Sequence, residues 1–184
     1  MNRIVFCVGT ALVLVACNKG PVVNLKNASG QQVAEAVSQS KVGSGPYVIQ
    51  PGEWITRTSI EERSYPGMAP AFQEQMRHAI AAQQPNELKR CVTPDEARKP
   101  NEDFFADQNG SCRFARFMMG KGRIDIQMVC QAAGTLTSNA SGTYSPTSYS
   151  MEVSTLMSGG EQSGAVTKIH VEARRIGDCA AKES

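Results

Sequence analysis

The sequence lacks the motifs that mark the common hydrolases and metalloenzymes. It contains no GxSxG and no HExxH, and its two histidines, His78 and His170, fall on predicted polar faces. Catalysis by an activated nucleophile or by a metal ion needs complementary groups close together. Neighbouring carboxylates, such as Asp95 and Glu96, occur in predicted loops, where a solvated surface explains them. We therefore predict that the protein is not an enzyme and expect no metal and no cofactor, with a carboxylate-based hydrolase as the alternative.

The chain is also poor in aromatic residues and in excess charge of either sign. Aromatic residues make up 6% of the sequence, there is one Trp, and 19 Lys and Arg nearly balance 17 Asp and Glu. Nucleic-acid-binding proteins carry basic patches, and many interleave aromatic side chains with them. The composition therefore argues against a nucleic-acid partner, and it indicates nothing about the oligomeric state.

A short apolar run opens the chain and ends at a cysteine. Arg3 precedes the apolar residues 4–15, and the run is shorter than the about 20 residues that a membrane-spanning helix needs. The tetrapeptide "LVAC" that ends at Cys17 resembles the lipobox of bacterial lipoproteins. The resemblance implies that residues 1–16 are a signal peptide and that Cys17 carries the acyl chains, palmitate among them. An ordinary secretory signal with an incidental cysteine is the alternative.

The residue after this cysteine bears on the destination of the protein. Asn18 is not the Asp that resembles an inner-membrane retention signal. By analogy with enterobacterial sorting, we expect an outer-membrane lipoprotein that faces the periplasm. Its membrane contact would be the N-terminal lipid anchor, since several acyl chains bind a bilayer stably.

Four cysteines remain once Cys7 and Cys17 are set aside. An even number in an oxidising compartment predicts two disulfides, and the spacings contain no CxxC that would favour a metal. The four are Cys91, Cys112, Cys130 and Cys179. Pairing of the second with the third would leave the first and the fourth to each other, which is one of three possible connectivities.

The segment "CRFARFMMGKGRIDIQMVC", residues 112–130, predicts a β-hairpin. Glycines on both sides of Lys121 suit a three-residue loop, because glycine adopts positive φ without strain. Folding the chain about Lys121 brings apolar residues and two thiols opposite one another. The predicted pairs are Phe114 with Met128, Met118 with Ile124, and Cys112 with Cys130. Arg116 then falls opposite Ile126, which is the one mismatch.

The rest of the chain predicts a β-rich, α+β domain. Residues 17–50 are expected to be a lipid-anchored tether that carries a short helix, whose cap is Ser29, and residues 51–184 the folded domain. A strand is predicted from Glu53 to Arg63, and an amphipathic helix over about 69–84. Alternating segments after residue 134 predict an antiparallel meander. With six or seven strands, we expect a curved sheet wrapped around the helix, or a partly open barrel.

Several of these segments together resemble one protein family. They are "PGEW", "CVTPDEARKP", the 112–130 hairpin, "SGTYSPTSYS" and "RRIGDC". The set resembles a family of uncharacterised bacterial lipoproteins, the domain of unknown function 3617, over about residues 51–179. The resemblance implies an anchored, β-rich envelope protein with four cysteines in the family's pattern, and it carries no established activity.

The functional prediction is a non-enzymatic binding or envelope-maintenance module whose partner is an envelope protein or a small apolar ligand. "GEW" and "ARRIG" resemble the Trp and Arg at the closed end of lipocalin-type barrels, which would stack Trp54 against Arg174 or Arg175. This favours, as one alternative, a carrier of a small apolar ligand. "NASGTYS" resembles a loop of periplasmic lysozyme inhibitors and supports a second alternative, an inhibitor of a lysozyme-type enzyme, although a plain hairpin turn also explains it.

Overall fold

The computed structural model describes residues 22–40, 48–98, 111–131, 134–160 and 163–180, so the predicted signal peptide and Cys17 lie outside the described residues. The described part of the chain forms eight strands and three helices. In chain order they are β1 (Val22–Ala28), α1 (Gly30–Gln39), β2 (Gly52–Ser64), α2 (Pro70–Ala81), β3 (Asn86–Val92), α3 (Pro94–Arg98), β4 (Cys112–Gly120), β5 (Arg123–Gln131), β6 (Thr135–Tyr144), β7 (Ser148–Ser158) and β8 (Val166–Gly177).

All eight strands belong to one antiparallel, open sheet in the order β1-β4-β5-β6-β7-β8-β2-β3. Strands β4 to β8 pair in sequence and form the predicted meander, while β1 extends one edge and β2 with β3 extend the other. The β-rich antiparallel fold is thus confirmed, with eight strands in place of six or seven. Side chains of β4 and β3 line one common cavity. Six strand spacings of about 4.8 Å would hold them far apart in a flat sheet, so the sheet is curved.

The β4–β5 hairpin confirms the predicted pairing at one end and corrects it at the other. Cys112 pairs with Cys130 and Phe114 with Met128, as expected, but the register shifts between Phe114 and Arg116. One extra residue in a strand is a β-bulge, and it moves every later side chain to the opposite face. The following pairs are therefore Arg116 with Gln127, Phe117 with Ile126, and Met119 with Ile124.

The bulge has a clear physical benefit. It turns Phe117 inward, where it is fully buried, and turns Arg116 to the outer face, which removes the predicted mismatch with Ile126. Met119, and not Met118, joins the core. The loop also contains two residues and not three: Lys121 and Gly122 have φ of 53° and 73°, as a type I′ turn requires.

The chain before residue 51 contains more than the predicted tether. Val22–Ala28 pairs with β4 as an edge strand, and α1 follows it after Ser29. The predicted cap is present as a capping box, in which Ser29 Oγ accepts from Gln32 N at 3.2 Å and Gln32 Oε1 accepts from Ser29 N at 2.9 Å. The folded unit therefore includes β1, because Val23 and Ala28 are buried in a cluster with residues of β4.

Helix α2 lies near its predicted bounds but outside the core. None of its residues is buried, and Phe72 is 53% exposed. The expectation that the sheet wraps around this helix is wrong. Helix α1 lies inside the curve instead, and its Val33 and Val37 are fully buried against β4 and β5.

Two disulfides join the described residues, Cys91–Cys179 and Cys112–Cys130, which confirms the predicted pairing. The first bond begins in a strand, because Cys91 lies in β3. This bond ties the edge strand β3 to the chain just after β8. Helix α3 follows Thr93, whose Oγ1 accepts a hydrogen bond from Glu96 N at 3.3 Å.

Candidate functional site

An apolar cavity of about 420 Å³ occupies the inner face of the curved sheet. Pockets for small ligands span roughly 300–1,000 Å³ and are lined mainly by apolar side chains with a few polar groups. The wall is formed by Val37, Val48, Ile49, Trp54, Thr56, Arg90, Val92, Glu96, Phe114, Met119, Ile124, Ile126, Met128, Ser138, Ala140, Tyr144, Tyr149, Met151, Val153 and Val171. The cavity is thus of ligand size and predominantly apolar.

The cavity lies between two separate hydrophobic clusters. One cluster joins β1, α1, β4 and β5 around Phe117 and Val33. The other joins β2, β3, α3 and β8 around Trp54 and Val92. Residues of both clusters line the cavity from opposite sides. The two clusters therefore act as walls, and the middle strands β5 to β8 form the floor.

Small side chains on β6 create the room at the floor. The inward positions at the middle of this strand are Ser138, Ala140 and Gly142, whose cross-strand neighbours include the larger Met128 and Met151. A Cβ at Gly142 would collide with the backbone of β7, so glycine lets these two strands approach closely. Alternation along β6 thus leaves a low central strip between taller neighbours.

Trp54 forms the wall at the β2 side of the cavity. It is 3% exposed, its Nε1 donates to Gln50 O at 3.0 Å, and its ring stacks on Tyr149 with centroids 6.2 Å apart. Arg175 is the Cα partner of Trp54 on β8, and Arg90 is its partner on β3. A tryptophan between two arginines therefore marks this side of the cavity.

The structure separates the two arginines that were predicted as partners of Trp54. Arg175 lies on the same face as Trp54, where its Nε donates to Pro51 O at 2.8 Å and its Nη2 contacts Asp178. Arg174 projects to the outer face and borders a shallow depression with Ser150. Stacking of an arginine on Trp54 stays a prediction.

The charged edge of the cavity is formed by Arg90 and Glu96, which the sequence analysis did not select. Arg90 Nη2 lies 3.1 Å from Glu96 Oε1. Glu96 Oε2 also accepts from the backbone N and the Oγ1 of Thr93, at 2.7 and 2.9 Å. Hydrogen bonds from the backbone and then the side chain of Thr93, aided by Arg90, lower the pKa of Glu96. The spacing of Leu88, Arg90 and Val92 at every second position in "NELKRCV" is the signal that would have indicated a strand there.

Tyr144 contributes a neutral polar group to the wall. Burial raises the pKa of Tyr144 above its ordinary value, and a hydrogen bond with the backbone of Gly122 opposes that effect. Its phenol is therefore protonated at neutral pH. A neutral hydroxyl can orient a ligand without introducing charge into an apolar space.

The outer face of the sheet carries a separate polar cluster around His170. Ser150 Oγ lies 3.1 Å from His170 Nε2, and Glu61 Oε1 lies 3.7 Å from His170 Nδ1. The order resembles that of an activated serine, but catalysis of acyl transfer also needs donors for an oxyanion. Ser150 lies in the middle of the sheet, where the ladders to β6 and β8 use the backbone N–H groups. The geometry fits a surface hydrogen-bond network.

Two further properties concern metals and membranes. Across residues 22–40, 48–98, 111–131, 134–160 and 163–180, no three His, Cys, Asp or Glu side chains are placed to hold a metal ion. Within the same ranges, none of the helices has the length and apolar character to cross a bilayer.

Comparisons with known proteins identify a family. No curated protein matches the chain. Among solved structures, the chain is similar to the monomer form of the M. tuberculosis PknI sensor domain, with a TM-score of 0.33 and 14% identity over 71% of this chain and 89% of that one. Residues 49–179 match the family described as "Protein of unknown function (DUF3617)", which confirms the resemblance noted in the sequence. The chain therefore belongs to this family.

Proposed function

We propose that this protein is a binding protein whose curved sheet holds one small, predominantly apolar molecule. The cavity of about 420 Å³ between the two hydrophobic clusters carries this proposal. Protein interiors are close-packed, and voids larger than a water molecule are few. A pocket of this size with mainly apolar walls favours an apolar occupant. The space exists because the inward-facing residues at the middle of β6 are small.

We also propose that the protein acts in the bacterial cell envelope, anchored to the outer membrane through acylated Cys17 and facing the periplasm. The lipobox-like "LVAC" supports the anchor, and the two disulfides fit an oxidising compartment. Replacing Cys17 by Ser should move the protein from the membrane fraction to the soluble fraction, as measured by fractionation and immunoblotting. Retention of the variant in the membrane fraction would contradict the anchor.

The cavity can be tested by filling it. Ala140→Leu adds three carbon atoms at the cavity floor, whereas Ser141→Leu adds a similar side chain at the neighbouring, exposed position on the outer face. The purified full chain is titrated with N-phenyl-1-naphthylamine, a neutral apolar fluorophore. The single Trp, Trp54, lies in the wall and transfers excitation energy to a probe bound there.

We expect Ala140→Leu to weaken probe binding about tenfold or more, because the added methylenes occupy the volume that the probe needs. Ser141→Leu should bind the probe like the unmodified protein. Unfolding curves of both variants check that the fold is retained. Equal binding by Ala140→Leu and the unmodified chain, or the absence of any energy transfer from Trp54, would overturn the proposal.

The inhibitor alternative gains no support from the fold. The segment "NASGTYS" begins within β6, and Asn139–Tyr144 pairs with β7 on one side while all but its last residue pairs with β5 on the other. It therefore forms neither the protruding loop that an enzyme cleft would need nor the predicted hairpin turn. If the cavity test fails, the hypothesis of an envelope-maintenance role without a ligand is favoured.

A further inference from the structure

We infer that the ligand of this cavity is an amphiphile with an anionic headgroup, a carboxylate or a phosphate, which Arg90 binds while the apolar chain lies over the β6 floor. The inference rests on the proposed function and adds the chemical class of the ligand. It follows from the position of Arg90, from the hydrogen bonds that already engage its ion-pair partner Glu96, and from the apolar wall beside it.

Position comes first. Arg90 is the cross-strand partner of Trp54, so the two side chains share the inner face of the sheet. The side chain of Arg90 is 51% exposed, whereas Trp54 is buried. The guanidinium therefore lies at the rim, where the apolar wall meets water. A single-chain amphiphile has the same division between an apolar body and a solvated head.

The hydrogen bonds at the rim indicate that the headgroup carries a negative charge. The Glu96 carboxylate already accepts from Thr93 N, Thr93 Oγ1 and Arg90 Nη2, so both of its oxygens are engaged. A guanidinium carries five N–H donors, and the bond to Glu96 uses one of them. A planar fork of this kind matches the two oxygens of a carboxylate or phosphate. The rim thus offers donors to an anion and few free acceptors to a cation.

Glu96 acts as a positioning residue in this arrangement. Two hydrogen bonds from Thr93 fix its carboxylate, and the fixed carboxylate holds one edge of the Arg90 guanidinium. Holding a long side chain in place before the ligand arrives reduces the ordering that binding would otherwise require. Loss of Glu96 should therefore weaken binding of an anionic ligand less than loss of Arg90 does.

The test compares two probes that differ only in the headgroup, cis-parinaric acid and its methyl ester. Both are titrated into the full chain by energy transfer from Trp54. We expect the acid to bind at least about tenfold more tightly than the ester, as a charged, forked hydrogen bond implies. Arg90→Gln should reduce acid binding to the level of the ester and leave ester binding unchanged, and Glu96→Gln should give a smaller loss of acid binding.

Arg57→Gln is the matched control. Arg57 lies on the adjacent strand β2, is exposed to a similar extent, and pairs with Glu87, but it faces away from the cavity. It should leave both affinities unchanged. Unfolding curves of all variants check that the fold is intact.

Displacement of the bound acid identifies the headgroup source. Oleic acid and lysophosphatidic acid with the same acyl chain should both compete. Tighter binding of oleic acid indicates a carboxylate headgroup, and tighter binding of lysophosphatidic acid indicates a phosphate. Stronger displacement by the zwitterionic lysophosphatidylethanolamine would overturn the anionic assignment. Equal binding of acid and ester, unchanged by Arg90→Gln, would overturn the inference while the proposed function stands. If neither probe binds, both the inference and the proposed function are contradicted.

Discussion

The two halves of the sheet are built in different ways. At one edge, α1 lies inside the curve and packs with β1, β4 and β5 around the fully buried Phe117. At the other edge, α2 buries none of its residues, and six of the seven residues of β3 are exposed. The first half is held by side-chain packing. The second has a smaller buried cluster around Trp54 and depends more on the pairing of β2 with β8 and on the Cys91–Cys179 disulfide.

The difference shows that an amphipathic pattern does not decide which helix is buried. Helix α2 carries the larger apolar side chains, including Phe72, Met76 and Ile80, yet it lies outside. Helix α1 presents mainly Ala and Val, and one residue, Ser29, separates it from the edge strand β1. A narrow helix with so short a connection folds back onto the inner face, where space is limited. Connection length and side-chain size thus outweigh the apolar periodicity.

The largest expected effect comes from the disulfide of the second half. Replacing Cys91 and Cys179 by Ala removes a link across 88 residues. Chain entropy predicts a loss of about 4.6 kcal/mol in the free energy of unfolding, with fast hydrogen exchange along β3. Replacing Cys112 and Cys130, which are 18 residues apart, should cost about 3 kcal/mol. Urea unfolding and exchange mass spectrometry measure both. A larger loss for the second pair would contradict the comparison.

The next effect contrasts packing in the two halves. Phe117→Ala should lower the free energy of unfolding by about 3–5 kcal/mol, because it leaves a cavity in the packed half. Phe72→Ala removes the same atoms from an exposed position of α2 and should change the free energy of unfolding by less than about 0.5 kcal/mol. Chemical denaturation of both variants gives the values. A comparable loss for Phe72→Ala would show that α2 covers apolar surface after all.

The smallest effect is electrostatic and depends on pH. Because the pKa of Glu96 is lowered in the folded protein, its charged form stabilises the fold above the unfolded value of about 4.3. That contribution is lost as the pH falls through the lowered pKa. Glu96→Gln should therefore destabilise the protein at pH 7 by at most about 1 kcal/mol, and the difference should vanish in acid. Urea unfolding at several pH values tests this, and a difference that persists in acid would contradict it.

Local signals predicted the elements that local chemistry determines. The cap at Ser29, the helix over about 69–84 and the strand from Glu53 to Arg63 all lie close to where they were predicted. Pairing of Cys112 with Cys130 followed from the turn. The bulge before Arg116 was missed because a bulge depends on which residues the rest of the fold buries. Strand β1 was missed because it pairs only with β4, far along the chain.

The site was predictable only in part for the same reason. Trp54 and Arg175 were selected on residue type, and the sheet places them opposite each other. Arg90 was missed because no strand was predicted for residues 86–92, most of which are polar. The cavity itself depends on small residues of β6 lying between two distant clusters, and no local pattern encodes that distance.

The strand order also determines when the cavity can form. Strand β2 pairs with β3 and with β8, and the contact between Pro51 and Arg175 joins residues 124 positions apart. The β4–β8 meander can assemble from neighbouring hairpins, whereas β2 must wait for β8, which lies far along the chain. Closing so long a loop slows folding. The half that holds Trp54 and Arg90 is therefore completed last, and a chain that ends before β8 has neither of them in place.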